Sequence, residues 1–209
     1  MNKMSRPVTI YAEMTPNPNT MKYVADHMLV ESGVVVEFLS QKEARGYSTF
    51  AEALFNFSFV TRVFIAQNFV TIYKNDLVEW SDVNLEMREF VKEWLMENEN
   101  AVQQVPKQEV MESKAESPKI TTTNLAPEIN TEKDQQIVDL IDEYVQPAVE
   151  QDGGAIHFQS YNEESGAVTV ILKGSCSGCP SSTATLKGGV ENLLKSHLPE
   201  IKEVVALNG

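Results

Sequence analysis

Cysteine is nearly absent from this chain: its 209 residues contain two, Cys176 and Cys179. A small fold stapled by several disulfides is therefore excluded. Basic residues are scarce as well, with 17 Lys and Arg against 30 Asp and Glu and a formal charge of -13. That balance argues against a general nucleic-acid binder or an anionic-membrane binder, since both need clustered Lys and Arg. Long apolar runs are missing too, because even the aromatic stretch from Phe50 to Tyr73 is broken by Glu52, Asn56, Arg62, Gln67 and Asn68. No membrane span is expected from such a pattern. The opening Met1 to Pro7 carries positive charge but runs into Val8-Thr9-Ile10-Tyr11 and Glu13, without the apolar core of a signal peptide or the length of a transit peptide. The expected address is the cytoplasm, where reduced thiols serve metal binding or redox chemistry rather than stapling.

With 42% hydrophobic residues the chain can build a packed core. Composition divides it into three parts. Residues 1–100 hold both tryptophans, Trp80 and Trp94, and carry nine Lys and Arg against fourteen Asp and Glu. Residues 101–130 contain three prolines, no glycine, no aromatic and no sustained period, which predicts a flexible linker. Periodicity returns in residues 131–209, with five lysines against twelve acids. The expected fold class is α+β: two small α+β domains, 1–100 and 131–209, joined by the linker.

In the first domain Val8 to Glu13, Met21 to Ala25 and Val34 to Leu39 predict short strands separated by Pro, Asn and Gly. Thr49-Phe50-Ala51-Glu52 has the Thr-x-x-Glu form of a capping box opening a helix through Leu54 and Phe55. Val60 to Ala66 and Phe69 to Tyr73 predict two further strands joined at Gln67-Asn68. Met87, Phe90, Val91, Trp94 and Leu95 fall at the spacing of a closing helix. In the second domain Ile137, Leu140, Ile141, Tyr144, Val145, Ala148 and Val149 give two cycles of helical spacing, with Pro147 expected to bend or end the helix. Ile156 and Phe158, a turn at Asn162 to Gly166, and Val168, Val170 and Leu172 predict a β-hairpin. A second helix through Leu186, Val190, Leu193, Leu194 and Leu198 and a short strand at Val204 to Leu207 close the chain.

Between hairpin and helix lies Gly174-Ser175-Cys176-Ser177-Gly178-Cys179-Pro180, a Cys-x-x-Cys loop. Its spacing lets both sulfurs face one metal centre, and its small neighbours leave room for something bulky. A cap at Ser181 or Ser182 would bring the helix's positive end to Cys179 and lower its thiol pKa. A [4Fe-4S] or [2Fe-2S] cluster takes four thiolates and a structural zinc four Cys or His ligands, so two chains contributing one pair each across a twofold axis complete either site. A thioredoxin-like redox couple is the rival; that motif normally follows the first strand of a βαβ unit, whereas a hairpin precedes it here. Cluster, bridging zinc, redox couple and inert pair all remain open on spacing alone. The other candidates have structural explanations: His27, His157 and His197 are isolated, Asn17-Pro18-Asn19 are turn formers, and Gly153-Gly154 suit a helix-to-strand turn needing positive φ.

The run Val145-Gln146-Pro147-Ala148 through Asp152-Gly153-Gly154, the cysteine loop through Ser181-Ser182, and Thr185-Leu186-Lys187-Gly188-Gly189-Val190-Glu191 resemble the NifU-like C-terminal domain of iron-sulfur cluster carriers. Thr15-Pro16-Asn17-Pro18-Asn19-Thr20-Met21-Lys22-Tyr23-Val24, with Leu54-Phe55 and Val63-Phe64, resembles the N-terminal domain of Nfu proteins. The resemblance implies a non-enzymatic carrier whose homodimer holds a [4Fe-4S] cluster, or a [2Fe-2S] cluster, on paired loops. Cys176 and Cys179 carry over as its ligands. Implied partners are upstream cluster-assembly proteins and apo iron-sulfur clients such as dehydratases and radical enzymes. The cysteine-free first domain is then a partner-binding or targeting module.

Overall fold

The computed structural model describes residues 7–98, 100–106, 129–177 and 180–208. The chain falls into two compact units divided after Pro106. Most of the expected linker, 107–128, lies outside the described residues. Its first six positions need correction, because they belong to the first unit. Ala101 is buried in that unit's core, its carbonyl accepts from Ser48 Oγ at 2.8 Å, and the Gln103 and Gln104 amides donate to the Tyr47 carbonyl. These tethers outweigh the lack of aromatics and of a sustained period that predicted a free segment.

The first unit is built on strands β1 (Ile10–Met14), β2 (Thr20–Ala25), β3 (Val35–Phe38), β4 (Val60–Ala66) and β5 (Phe69–Lys74). They form one antiparallel sheet in the order β1-β2-β5-β4-β3. The β4–β5 hairpin turns at Gln67, whose φ of 45° is the left-handed geometry tight hairpin turns demand. Helices α1 (Gln41–Ala44), α2 (Thr49–Leu54) and α3 (Trp80–Glu97) pack against the sheet. Val63 and Ile65 of β4 and Val70 and Ile72 of β5 alternate toward them, meeting Phe50 and Leu54 of α2 and Met87, Val91 and Leu95 of α3. The Phe50 and Trp94 rings lie 4.7 Å apart, locking α2 to α3.

The cap of α2 is Ser48, not Thr49: Ser48 Oγ accepts from Ala51 N–H at 2.9 Å, while Glu52 is drawn away to the Gly46 N–H at 3.0 Å. The expected capping box does not form, because the residue three beyond Ser48 is Ala51, which has no side chain to reach back. α3 begins at Trp80, earlier than its first periodic residue, because its opening turns cover the end of β1 rather than the centre of the sheet.

The second unit opens with α4 (Glu132–Leu140), a π-helical turn (Ile141–Val145) and α5 (Gln146–Gln151). Thr131 and Asp134 form a reciprocal capping box at its start. Pro147 does not end this helix. Proline has no N–H and its ring crowds the carbonyl four residues earlier, and the wider π turn preceding Pro147 absorbs that conflict. Strands β6 (Gly154–Asn162) and β7 (Ala167–Gly174) pair antiparallel, with one extra residue at Gln159 between Phe158 and Ser160. Helix α6 (Pro180–His197) then crosses over so that β8 (Glu203–Asn208) lies parallel to β7. The sheet order is β6-β7-β8. Ile137, Ile141, Val145 and Val149 of the first helix and Val190 and Leu194 of α6 cover Ile156, Phe158, Val168, Val170 and Leu172.

Both units mix helices and sheet, so the α+β class holds. One topological argument does not. The cysteine loop follows a hairpin, as expected, and also sits inside a β7–α6–β8 crossover, so its context no longer separates cluster from redox chemistry. Among the described residues no helix is long and apolar enough to cross a membrane.

Candidate functional site

The second unit presents its chemistry where β7 gives way to α6. Gly174 ends β7 with φ +61°, a turn that a side chain would strain. The chain folds back at once: the Ser177 N–H and Oγ both donate to the Gly174 carbonyl, at 2.8 and 3.1 Å. Ser175 ties this loop to the α5–β6 turn, its N–H donating to Gly153 O at 3.1 Å and its hydroxyl to Asp152 O. From the other side Thr183 Oγ1 of α6 donates to the Cys176 carbonyl at 3.1 Å. Three elements thus hold the backbone around one cysteine.

Cys176 points inward. It is 6% exposed and packs with the second unit's hydrophobic core. A Cβ on Gly154 would stand 2.8 Å from its Sγ and 2.7 Å from the Lys173 carbonyl, so only glycine leaves room for the sulfur there. Burial pushes the Cys176 thiol up to about 11, the Ser175 hydroxyl pulling down and the Asp152 charge again pushing up. The resting sulfur is a neutral thiol rather than the nucleophilic or metal-ligating thiolate.

Cys179 lies outside the described residues, and so do the side chains of Ser181 and Ser182, on which the lowered thiol pKa was expected to depend. The structure therefore locates one of the two expected ligands. The histidines have other surroundings. His27 Nδ1 lies 2.8 Å from Asp26, and His197 stacks on Tyr144 with ring centroids 5.7 Å apart. His157 stands partly buried on β6, its Nε2 without a partner among the described residues; burial, aided by the Lys173 charge, holds its imidazole down at about 4. Among the described residues no three His, Cys, Asp or Glu side chains gather as metal ligands.

The sequence reading named Gly154 as a turn residue and Ser175 as a small neighbour of the sulfurs without these contacts, and did not single out Thr183. Ser175 and Thr183 carry no signal a sequence alone discloses. Gly154 did leave one. A turn needing positive φ requires a single glycine, and Gly153 with φ +80° supplies it. The second glycine answers to the approaching sulfur.

Comparison with known proteins gives two family matches. The family described as scaffold protein Nfu/NifU N terminal matches residues 10–98, and the NifU-like domain matches residues 137–205. NifU-like protein 4, mitochondrial, of Arabidopsis thaliana is 32% identical over 95% of this chain and 66% of its own length. NifU-like protein 5, mitochondrial, of the same plant is 31% identical over 95% of this chain and 68% of its own. The NFU1 iron-sulfur cluster scaffold homolog, mitochondrial, of Drosophila ananassae is 31% identical over 96% of this chain and 64% of its own. The chain thus spans about two thirds the length of these relatives. The cytoplasmic expectation is corrected by them, since all three are mitochondrial by name. The reason is physical: the lack of an apolar core in a short stretch does not encode a compartment.

Proposed function

Because this chain belongs to the Nfu family of NifU-like iron-sulfur cluster scaffolds, we propose that two copies hold a [4Fe-4S] cluster between them and deliver it to apo iron-sulfur proteins. Cys176 and Cys179 of each copy are the ligands, and the chain is a carrier rather than an enzyme. The observation that carries this reading is the setting of Cys176: a thiol at the β7–α6 turn, backed by Gly154 and bordered by Ser175 and Ser177. Four thiolates complete a four-iron cluster, and a chain with two cysteines supplies half of them.

The cluster is cargo, and the resting loop accounts for its release. An inward, protonated Cys176 is the stable state of the empty chain. Loading requires Sγ to turn out of its cradle and give up its proton. Unloading lets the thiol return to an apolar pocket that favours its neutral form, which biases the chain toward surrendering the cluster. The cysteine-free first unit is the partner-binding module in this reading, and cluster-assembly proteins acting upstream are the source of the cargo.

The test is anaerobic purification and reconstitution of the full chain with iron and sulfide. The expected product is brown, contains about one four-iron cluster per two chains, carries acid-labile sulfide, and sediments as a dimer. Electron paramagnetic resonance after reduction distinguishes four-iron from two-iron centres. Zinc without sulfide would establish the bridged structural dimer instead, and an iron-free Cys176–Cys179 disulfide would establish the redox couple.

A further inference from the structure

The sulfur of Cys176 has to leave its cradle to meet a metal, and the contacts around it show what resists that motion. A cysteine side chain turns about one bond, so Sγ never strays further than a bond length from Cβ. Here Cβ itself is seated against β6: a Cβ built on Gly154 would stand 3.2 Å from the Cys176 Cβ as well as 2.8 Å from its Sγ. Side-chain rotation leaves that Cβ where it is. Carrying the sulfur clear of β6 takes a shift of the Gly174 to Ser177 backbone.

That stretch is built to move as one piece. The Ser177 N–H and Oγ both donate to the Gly174 carbonyl, which closes the four residues into a tight turn. Two hydroxyls fasten the turn to its neighbours. Thr183 Oγ1 donates to the Cys176 carbonyl at 3.1 Å and ties it to α6. Ser175 ties it to the end of α5, its N–H donating to the Gly153 carbonyl at 3.1 Å and its hydroxyl to the Asp152 carbonyl. The last carbonyls of a helix have no partner within it, so in ordinary structural terms Ser175 is a helix cap.

The two ties differ in what the sulfur's exit does to them. Asp152 and Gly153 run directly into Gly154, so the anchor of Ser175 and the cradle of the sulfur are one short segment. Withdrawing Sγ from Gly154 withdraws Ser175 from its carbonyls in the same motion. Thr183 stands on another element, the helix that the cysteine loop leads into, and the turn can swing with that bond intact. Gly174, with φ +61°, has the backbone freedom of a pivot.

We propose that Ser175 is a positioning residue for cluster loading and release: its hydroxyl latches the Gly174 to Ser177 turn onto the Asp152 carbonyl, holds Cys176 inward in the empty chain, and lets go when the sulfur swings out to a metal. It acts through Cys176 and not on the cargo. A net hydrogen bond of ordinary strength shifts such an equilibrium by about fivefold. Losing it raises the share of chains with Cys176 outward, and whatever binds only the outward form binds more tightly. The role in carriage rests on Cys176 being a cluster ligand; the latch itself does not.

Two measurements keep these apart. In the first, the full cluster-free chain is alkylated with iodoacetamide under anaerobic reducing conditions, and fragment-ion mass spectrometry reads Cys176 separately from Cys179. Ser175→Ala keeps the N–H bond to Gly153, loses only the hydroxyl, and should label at Cys176 about fivefold faster. Its rate should stay flat at low urea, because the opening is local. Thr183→Val loses a hydroxyl-to-carbonyl bond of the same turn and should change the rate by less than about twofold. Unchanged labelling of Ser175→Ala would overturn the latch, and slower labelling would show the hydroxyl, 3.9 Å from Sγ, acting on the sulfur directly. A rate that climbs with urea as steeply as global unfolding, or equal acceleration by Thr183→Val, would reduce Ser175 to a cap. If Ser175→Ala folds poorly by circular dichroism, amide exchange in the parent chain decides: the Ser175 N–H should open with far less urea dependence than the amides of β7, and equal dependence would refute a local opening. In the second measurement the reconstituted Ser175→Ala chain should yield iron to a ferrous chelator about threefold more slowly than the parent. Release at the parent rate would overturn the role in carriage, whereas no cluster in either chain, with faster labelling intact, would refute cluster holding and leave the latch standing.

Discussion

Each unit contains a closely hydrogen-bonded turn, and the two turns are built from opposite materials. In the first unit, Thr15 to Thr20 closes on itself through hydroxyls and an asparagine amide, and Pro18 faces a cleft. In the second, Gly174 to Ser177 closes through backbone and small side chains, and its one reactive atom is turned inward. The first is a turn closed by its own side chains. The second stores a sulfur in a form that is inert until moved.

The largest effect that would break this contrast lies at the sulfur. Cys176→Ser is expected to reduce iron and acid-labile sulfide to background on anaerobic reconstitution, whereas Met14→Glu should leave both unchanged. If Met14→Glu also abolished the cluster, the division of labour would be wrong.

Next comes the cradle. Gly154→Ala drives a methyl into Sγ and the Lys173 carbonyl and should destabilise the second unit by about 1 to 3 kcal/mol in urea unfolding. Combining it with Cys176→Ala removes the sulfur but not the carbonyl, so the two changes should be less than additive. Strict additivity would show that Gly154 does not act through the sulfur.

A smaller effect separates the units by pH. His157 titrates at about 4 in the folded chain against 6.5 in the unfolded one. As pH falls from 6.5 toward 4 the unfolded chain takes up a proton that the folded chain refuses. Stability present above that window is therefore lost on acidification, by about 1 to 2 kcal/mol. His157→Gln should flatten this loss in denaturant titrations at stepped pH.

The smallest comparison is between caps. Ser48→Ala removes both the bond from Ala51 N–H and the tether to Ala101, and is expected to cost about 1 to 2 kcal/mol. Thr131→Ala removes a bond at an exposed helix start, with an expected cost of about 0.5 to 1 kcal/mol. Equal costs in thermal melts would mean that the Ala101 tether contributes nothing.

What the sequence disclosed follows from the range of each interaction. Helical periodicity through Ile137 to Val149 and strand alternation through Val168, Val170 and Leu172 are local, and both elements stand where their patterns place them. Helix α1, four residues long, is too short to show a period. The parallel pairing of β8 with β7 depends on the crossover of α6, and no feature of Val204 to Leu207 encodes which strand it will join. The cysteine loop was visible as a motif, but its inward sulfur was not, because that depends on Gly154, distant in sequence and adjacent in space. Ser48 and Thr49 are equally good caps on paper, and the tether at Ala101 decides between them.

The π turn in the second unit carries a lesson in phase. Ile137, Ile141, Val145 and Val149 are spaced by fours, and at about 100° per residue such a row winds off a regular helix by about 40° at each step. One extra residue in the turn rewinds it, keeping all four on the core. Downstream, the Gln146 side chain accepts from the Ile156 N–H at 3.2 Å, and Asp152 and Gly153 hold Ser175. Deleting one residue between Ile141 and Val145 would mend the helix's hydrogen bonding and rotate everything after it by about 100°. The local backbone would become more regular, and the loop that holds the thiol would lose its footing.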